Sequence, residues 1–299
     1  MKDETNFWKT QLKLLEMNEM KLLEKIVQTL IINGTLTEQP GLFYGKTGIA
    51  VFFFHYARYT DNELFQNYAM ELIDEIQKQI TVTVSARYDV GLAGIGAGFE
   101  YFMQNGFLEA EDDDIFEDFD ARMYRAAMYE PYPDLSLEGG LTGWGRYFIC
   151  RLRGKGQKND QLNKALAQIT HEIKRKIKKN AVPENEQPDV YRFLHDVITL
   201  PGYADKYGDD MQRCMKWKCI GELDVQKLFP YMSYLQRLYT CQTCFNINLS
   251  EEIAQEWKKW KETENNILKE MGLLNGWTAE GLLYLTGFHQ QDVSWFNLL

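Results

Sequence analysis

Four cysteines fall within 31 residues: Cys214, Cys219, Cys241 and Cys244. The second pair is spaced C-x-x-C, which can chelate zinc, while the first pair, five apart, is less usual for a structural site. Without a metal, the same residues are small buried core groups, as free cysteines often are. Cys150, in an apolar run, is read as core. Carboxylates form a second set. Asp89, Glu138 and Glu280 stand beside glycine motifs, and two carboxylates across a cleft can act as acid and base, or as nucleophile, on a glycosidic bond. The structural alternative for Asp89 and Glu138 is capping of helix N-termini. His195, in Phe193-Leu194-His195-Asp196, offers an imidazole that serves as acid, base or ligand, or else a structural side chain in an apolar helix. His55 reads as structural, His171 as surface, and His289 has no evident partner in the sequence.

The elements that must position these groups are announced by a recurring pattern, Gly-x-x-Gly-small-x-x-aromatic. The copies begin at Gly45-Lys46-Thr47-Gly48, Gly91-Leu92-Ala93-Gly94 and Gly140-Leu141-Thr142-Gly143, and a looser one at Gly276-Trp277-Thr278-Ala279. The first glycines lie 46 and then 49 residues apart, a period long enough for a pair of helices with connections. Each copy precedes an apolar stretch. Glycine there permits close backbone approach at a crowded helix start, although within a helix it costs up to ~1 kcal/mol relative to alanine. Converging helix N-termini would also favour an anion or a developing negative charge. Tyr44 and Lys46 beside the first motif, with Trp144, Trp277 and Glu280 inside others, are the expected substrate-lining residues.

Helical periodicity dominates between the motifs. Leu12, Leu15, Leu22, Leu23, Ile26, Val27 and Leu30 suit an amphipathic helix, as do Leu64, Phe65, Tyr68, Leu72, Ile73 and Ile76, and then Leu162, Leu166, Ile169, Ile173 and Ile177. Each motif thus opens a helix that is apolar on most sides, followed by one with a single apolar stripe; the first kind is buried and the second lies outside it. The expectation is an all-α fold, a double-ring α/α barrel of inner and outer helices, in a single domain over residues 1–299. Ile80 to Val84 alternates apolar and polar residues and reads as an extended connection or small hairpin. Loops are expected over 34–40, 129–140, 181–188 and 201–209.

Composition excludes several classes. The 299 residues carry a net charge of −10, which disfavours a nucleic-acid binder. The acidic run Glu109 to Asp120 and the basic cluster Lys174 to Lys179 read as solvated surface. No apolar run approaches the ~20 residues that span a bilayer, so no membrane association is expected. The absence of a signal-like apolar core after Asp3 and Glu4, with five cysteines, fits a cytoplasmic protein.

At the glycine motifs the chain resembles the lanthionine synthetase C-like family, the lanthipeptide cyclases and their relatives. The resemblance rests on Gly41 to Ala50, Gly91 to Gly96, Gly140 to Gly143 and Gly272 to Trp277. It is good up to about Arg153, moderate from Glu270, and weak between. It implies a toroid of six helices inside six, with the glycine motifs at one mouth. Active members use zinc to activate a peptide cysteine, which adds to a dehydrated serine or threonine; a thiolate at neutral pH needs such a Lewis acid, and the ensuing enolate needs a proton donor. The family holds its zinc with a Trp-Cys-x-Gly-like cysteine and a downstream Cys-His pair, and places a histidine just before one glycine motif and an aspartate shortly before another. Here the residues before the motifs are Tyr44, Val90, Gly139 and Asn275, and no Cys-His pair exists. Trp217-Lys218-Cys219-Ile220-Gly221 is a loose echo of the first zinc segment, and Asp89 or Asp134 could stand for the family aspartate.

Three readings follow. The chain is a divergent member that binds a peptide or small molecule and assists peptide maturation, with a degenerate zinc site and no metal. Alternatively it is a zinc-dependent cyclase whose ligands are drawn from Cys214, Cys219, Cys241, Cys244 and His195, or a carbohydrate-active enzyme on the same barrel. The ligand pattern favours the first.

Overall fold

The computed structural model describes residues 21–81, 84–109, 116–154, 159–262, 270–289 and 293–299. Helices α1 (described over 21–34), α2 (Lys46–Thr60), α3 (Glu63–Gln79), α4 (Leu92–Gln104), α5 (Glu117–Tyr129), α6 (Leu141–Arg153) and α7 (Asp160–Lys178) come first. Then follow α8 (Gln187–Ile198), α9 (Ala204–Cys214), the short α10 (Lys218–Gly221), α11 (Tyr234–Phe245), α12 (Ser250–Glu262), α13 (Trp277–His289) and a 3-10 segment, Ser294–Leu298. No strand occurs among the described residues. Ile80, Thr81 and Val84 are irregular, and Val82 and Thr83 lie outside the described residues. Leu12 and Leu15 of the expected first helix also lie outside them.

Two kinds of helix alternate, and the difference is written in their composition. In α2, α4 and α6 nearly every residue of the first three turns is buried. In α13 the same holds from Trp277 to Thr286. By contrast α3 buries only Ala69, Leu72, Ile73 and Ile76, and α7 a stripe of Leu162, Leu166, Ile169, Ile173 and Ile177 with their neighbours. Each such buried leucine or isoleucine contributes about 1.5–3 kcal/mol of transfer free energy. Asn62 and Asn159 cap α3 and α7 through their side chains. Ser233 and Gln236 form a capping box at α11. The chain expected to be loop over 201–209 turns helical at Ala204, because Tyr207, Asp210 and Cys214 recur on one face and pack inward.

The glycine motifs open α2, α4, α6 and α13, and one local structure explains them. Gly45, Gly91 and Gly140 are extended N-cap residues with no side-chain cap. The first N–H of each helix instead donates to the carbonyl seven residues back: Lys46 to Gln39 (2.9 Å), Leu92 to Ser85 (2.8 Å), Leu141 to Asp134 (2.9 Å) and Trp277 to Glu270 (2.8 Å). In three copies the next residue is a threonine, and Thr47, Thr142 and Thr278 each donate from Oγ1 to the carbonyl seven back. The preceding loop is therefore folded tightly over the helix start. At the second glycine of the motif a β-carbon would collide with a loop carbonyl, that of Tyr88 at Gly94 and of Leu137 at Gly143. Further along, Gly145 receives the ring of Phe193 and Gly281 the ring of Phe52, each from a neighbouring buried helix.

These loops are joined to one another. Leu273 N–H donates to the Phe43 carbonyl (2.7 Å), Phe43 N–H to the Asp89 carbonyl (2.9 Å), and Tyr88 and Asp89 N–H both to the Glu138 carbonyl (2.8 and 3.0 Å). Leu137 N–H donates to the Asp189 carboxylate in the first turn of α8 (2.8 Å). Asp189 also accepts from the Tyr231 hydroxyl (2.6 Å), and the Tyr231 carbonyl accepts from Asn275 Nδ2 (3.0 Å). Asn275 lies in the loop that carries Leu273, so the succession of bonds returns to its start.

Candidate functional site

The cluster that gathers most of the expected chemistry sits on these loops. Tyr44 donates to Glu138 Oε1 (2.8 Å), bringing the residue before the first motif onto the residue two before Gly140. Partial burial, then Glu138 and more distantly Asp89 and Glu270, push the Tyr44 hydroxyl well above its ordinary pKa, so it remains a donor. Asp89 is buried and takes Arg87 at two points, Nε to Oδ1 (2.8 Å) and Nη2 to Oδ2 (2.5 Å), while Val90 N–H donates to Oδ1 (2.8 Å). The Arg87 guanidinium lies over Gly139, where a β-carbon would strike it, beside Glu138. Tyr44, Arg87, Asp89 and Glu138 thus form one polar group over the first three motifs.

The remaining expected residues divide. Trp144, five per cent exposed, carries a buried indole N–H with no hydrogen-bond partner among the described residues. Trp277 is buried in the first turn of α13, with Lys25 Nζ 5.8 Å from its ring centroid, and Glu280 is buried one turn further on. Lys46 does not join them: its ammonium pairs with Glu75 of α3, an outward structural contact. His195 does not join them either. It stands six residues beyond Asp189 on α8, roughly 9 Å along the axis at 1.5 Å per residue, half-buried, with Nδ1 3.5 Å from its neighbour Asp196. His55 is buried, its Nε2 2.6 Å from the Tyr101 hydroxyl; the side chain of His289 lies outside the described residues.

The anion expectation for the helix starts is also corrected. The first N–H groups of the motif helices are already spent on loop carbonyls, so the positive ends are covered by the chain itself. Asp89 and Glu138 cap no motif helix: Asp89 bonds Arg87 and Val90, and Glu138 accepts from Tyr44.

No protein-family model matches this chain, and no curated protein matches it.

The zinc set does not fit a metal on the described side chains. Cys214 belongs to α9, Cys241 and Cys244 to α11, and the side chain of Cys219 lies outside the described residues. Burial pushes the thiols of Cys214 and Cys241 up to about 12 and that of Cys244 up to about 11, so without a metal they rest as neutral thiols. Among the described residues no three histidine, cysteine or acidic side chains converge as a ligand set.

Sequence reasoning missed a second polar group, deeper between the buried helices. Arg146 and Arg192 each stand six residues after the cap of their helix, Gly140 and Glu186. Arg146 Nη2 lies 2.9 Å from Asp196 Oδ2, and Arg146 Nη1 donates to the Asn297 carbonyl (3.1 Å). Arg192 donates to Thr240 Oγ1 (3.1 Å) and to the Phe296 carbonyl (2.8 Å), and the Tyr88 hydroxyl donates to the Leu298 carbonyl (2.9 Å). The readable signal was an arginine in the middle of each of two largely buried helices, a placement that demands partners.

Proposed function

We propose that this chain is a divergent lanthionine synthetase C-like protein that binds a peptide and assists its maturation without forming the thioether itself. In this reading α2, α4, α6, α8, α11 and α13 make the inner ring of a toroid, with α3, α5, α7, α9 and α12 outside it. The observation that carries the reading is the returning succession of hydrogen bonds through the loops at Phe43, Asp89, Glu138, Asp189, Tyr231 and Leu273. Six consecutive buried helix starts linked head to tail are what a closed mouth requires. The alternation of all-round-buried and striped helices agrees with it.

A loop end that gathers a tyrosine, an arginine and two carboxylates suits a peptide, whose main chain needs both donors and acceptors. The arrangement argues against carboxylates working as acid and base on a glycoside, since both oxygens of Asp89 are already held by Arg87 and Glu138 is held by Tyr44. No helix among the described residues is long and apolar enough to cross a membrane.

The test is selection from a displayed random-peptide library on the immobilised full chain. The reading expects a consensus whose binding weakens about tenfold or more in Glu138→Gln and Trp144→Leu. No enrichment over a blank surface, or enrichment indifferent to both substitutions, would overturn it. Elemental analysis of protein purified without chelator separates the zinc alternative: stoichiometric zinc, lost in Cys219→Ala, would restore a cyclase.

A further inference from the structure

The residues Ser294–Leu299 lie among the buried helices, and the way they are held is that of a bound peptide. Three successive main-chain carbonyls, of Phe296, Asn297 and Leu298, accept from side chains of three different elements: Arg192 of α8, Arg146 of α6 and Tyr88 of the loop before α4. The side chains have seats of their own. Trp295, wholly buried, donates from Nε1 to Thr286 of α13 (3.1 Å) and stacks on Phe296 with centroids 4.0 Å apart. Phe296 in turn stacks on Tyr239 of α11 at 4.8 Å. The Ser294 hydroxyl is 2.8 Å from that of Tyr101 on α4. Five buried helices and one loop therefore converge on six residues.

Two further observations bear on what the space is for. Arg192 Nε is buried and has no hydrogen-bond partner among the described residues, so the segment leaves one donor of its principal holder unused. A buried donor left unpaired carries a desolvation cost, which one more acceptor in this space would offset. A cleft of about 180 Å³ also runs along the segment, lined by Tyr101, Cys150 and Arg153 opposite Ser294, Asn297 and Leu298, and there Asn297 is exposed. The segment is thus enclosed on its aromatic side and open to solvent on the other.

We propose that the space between the buried helices is a peptide-binding site, that Ser294–Leu299 is its resident occupant, and that it takes short peptides with an aromatic pair, one outward-facing residue and then apolar residues. The inference rests on the peptide reading above and names its interior site. Recognition has two layers. Arg146, Arg192 and Tyr88 read carbonyls and accept any sequence; the seats formed by Thr286 and Tyr239 select aromatic side chains. Any incoming peptide must compete with a segment present at the high effective concentration of a tether, so the segment sets a threshold on binding.

The experiment is hydrogen exchange of the intact protein, with and without an excess of the hexapeptide Ser-Trp-Phe-Asn-Leu-Leu. The peptide is expected to speed exchange of the segment's amides by displacing it, with saturable binding at one site that weakens about tenfold or more in Arg192→Met or when alanine replaces tryptophan in the peptide. No change in the segment's exchange at any peptide concentration would overturn the proposal. The amides of Phe296 and Leu299, bonded to the Val293 and Phe296 carbonyls, should exchange by local release, faster than those of α6 and insensitive to mild denaturant. Exchange only with global unfolding would mark the segment as permanent core and end the proposal. Because the hexapeptide is the chain's own sequence, this result stands or falls separately from the peptide selection on the full chain.

Discussion

Helix α8 carries two buried aspartates two turns apart, and they behave in opposite ways. Asp189, at the loop end, is held by neutral donors, the Tyr231 hydroxyl and the Leu137 N–H. Burial outweighs those bonds and pushes its carboxyl up to about 6. Asp196, near the far end, is buried as well, and burial alone would raise it too; the Arg146 guanidinium, with His195, Arg153 and Arg192, overcomes that and holds it well below the ordinary range. The contrast extends to the regions around them. The loop end is built from main chain, with carbonyls and N–H groups of successive loops paired and glycines clearing the way. The interior is built from single charged side chains: Arg146 and Arg192 hold a segment from far along the chain, and Asp196 pairs with Arg146. A neutral network tolerates one carboxyl being protonated; an ion pair in a buried site does not tolerate the loss of either member.

The hardest blow to the interior is Arg146→Met, which leaves Asp196 buried with only peripheral cations. A loss of about 3–5 kcal/mol is expected in urea unfolding, and less than the sum of the single changes when combined with Asp196→Leu, because the two share one interaction. A purely additive double variant would break the claim that the pair acts as a unit. At the loop end the largest effect should come from Gly94→Ala, which drives a methyl group into the Tyr88 carbonyl; about 3 kcal/mol or failure to fold is expected. Ala279 already occupies the same position in the fourth copy, so the penalty belongs to the close approach and not to the motif as such.

The two aspartates then separate by pH. Asp189 has a folded value above its unfolded 3.8, so it binds protons more readily when folded, and its contribution to stability falls as pH rises from about 4 to about 6. Asp189→Asn should flatten the stability profile in that window, a difference on the order of 2–3 kcal/mol. Asp196 has a depressed folded value; its contribution is complete above its unfolded 3.8 and is lost as pH falls below it. Asp196→Asn should therefore flatten only the acid limb. If both variants altered the same window, the opposition between the two ends of α8 would be wrong. The smallest effect is expected of Tyr44→Phe, about 1 kcal/mol for one half-buried hydrogen bond to Glu138, read as a small shift of the urea midpoint with an unchanged slope.

Much of the scaffold was legible in advance. The glycine copies start buried helices, and the striped helices bury a single face. These features come from short-range rules: a carbonyl seven residues back and an apolar face every three or four residues. Of the candidate site, the grouping of Tyr44, Asp89 and Glu138 was half visible, since each borders a motif. Arg87, which holds Asp89 and lies over Gly139, carried no signal, because an arginine in a loop has no periodicity to betray its partner. Lys46 looked like a mouth residue by its place in the motif, yet its long side chain reaches Glu75 instead. The helix over 204–214 was hidden by Pro201 and Gly202 just before it and by the glycine and aspartates within it.

The amino-acid sequence by itself determined the helical class, the alternation of buried and surface helices and the positions of the crowded starts, because those follow from local backbone sterics and from the period of apolar residues. Only the tertiary structure decided which charges meet and that Ser294–Leu299 lies among the buried helices. Arg146 and Asn297 are 151 residues apart along the chain, and no rule of spacing links two groups whose contact is created by the packing of helices between them.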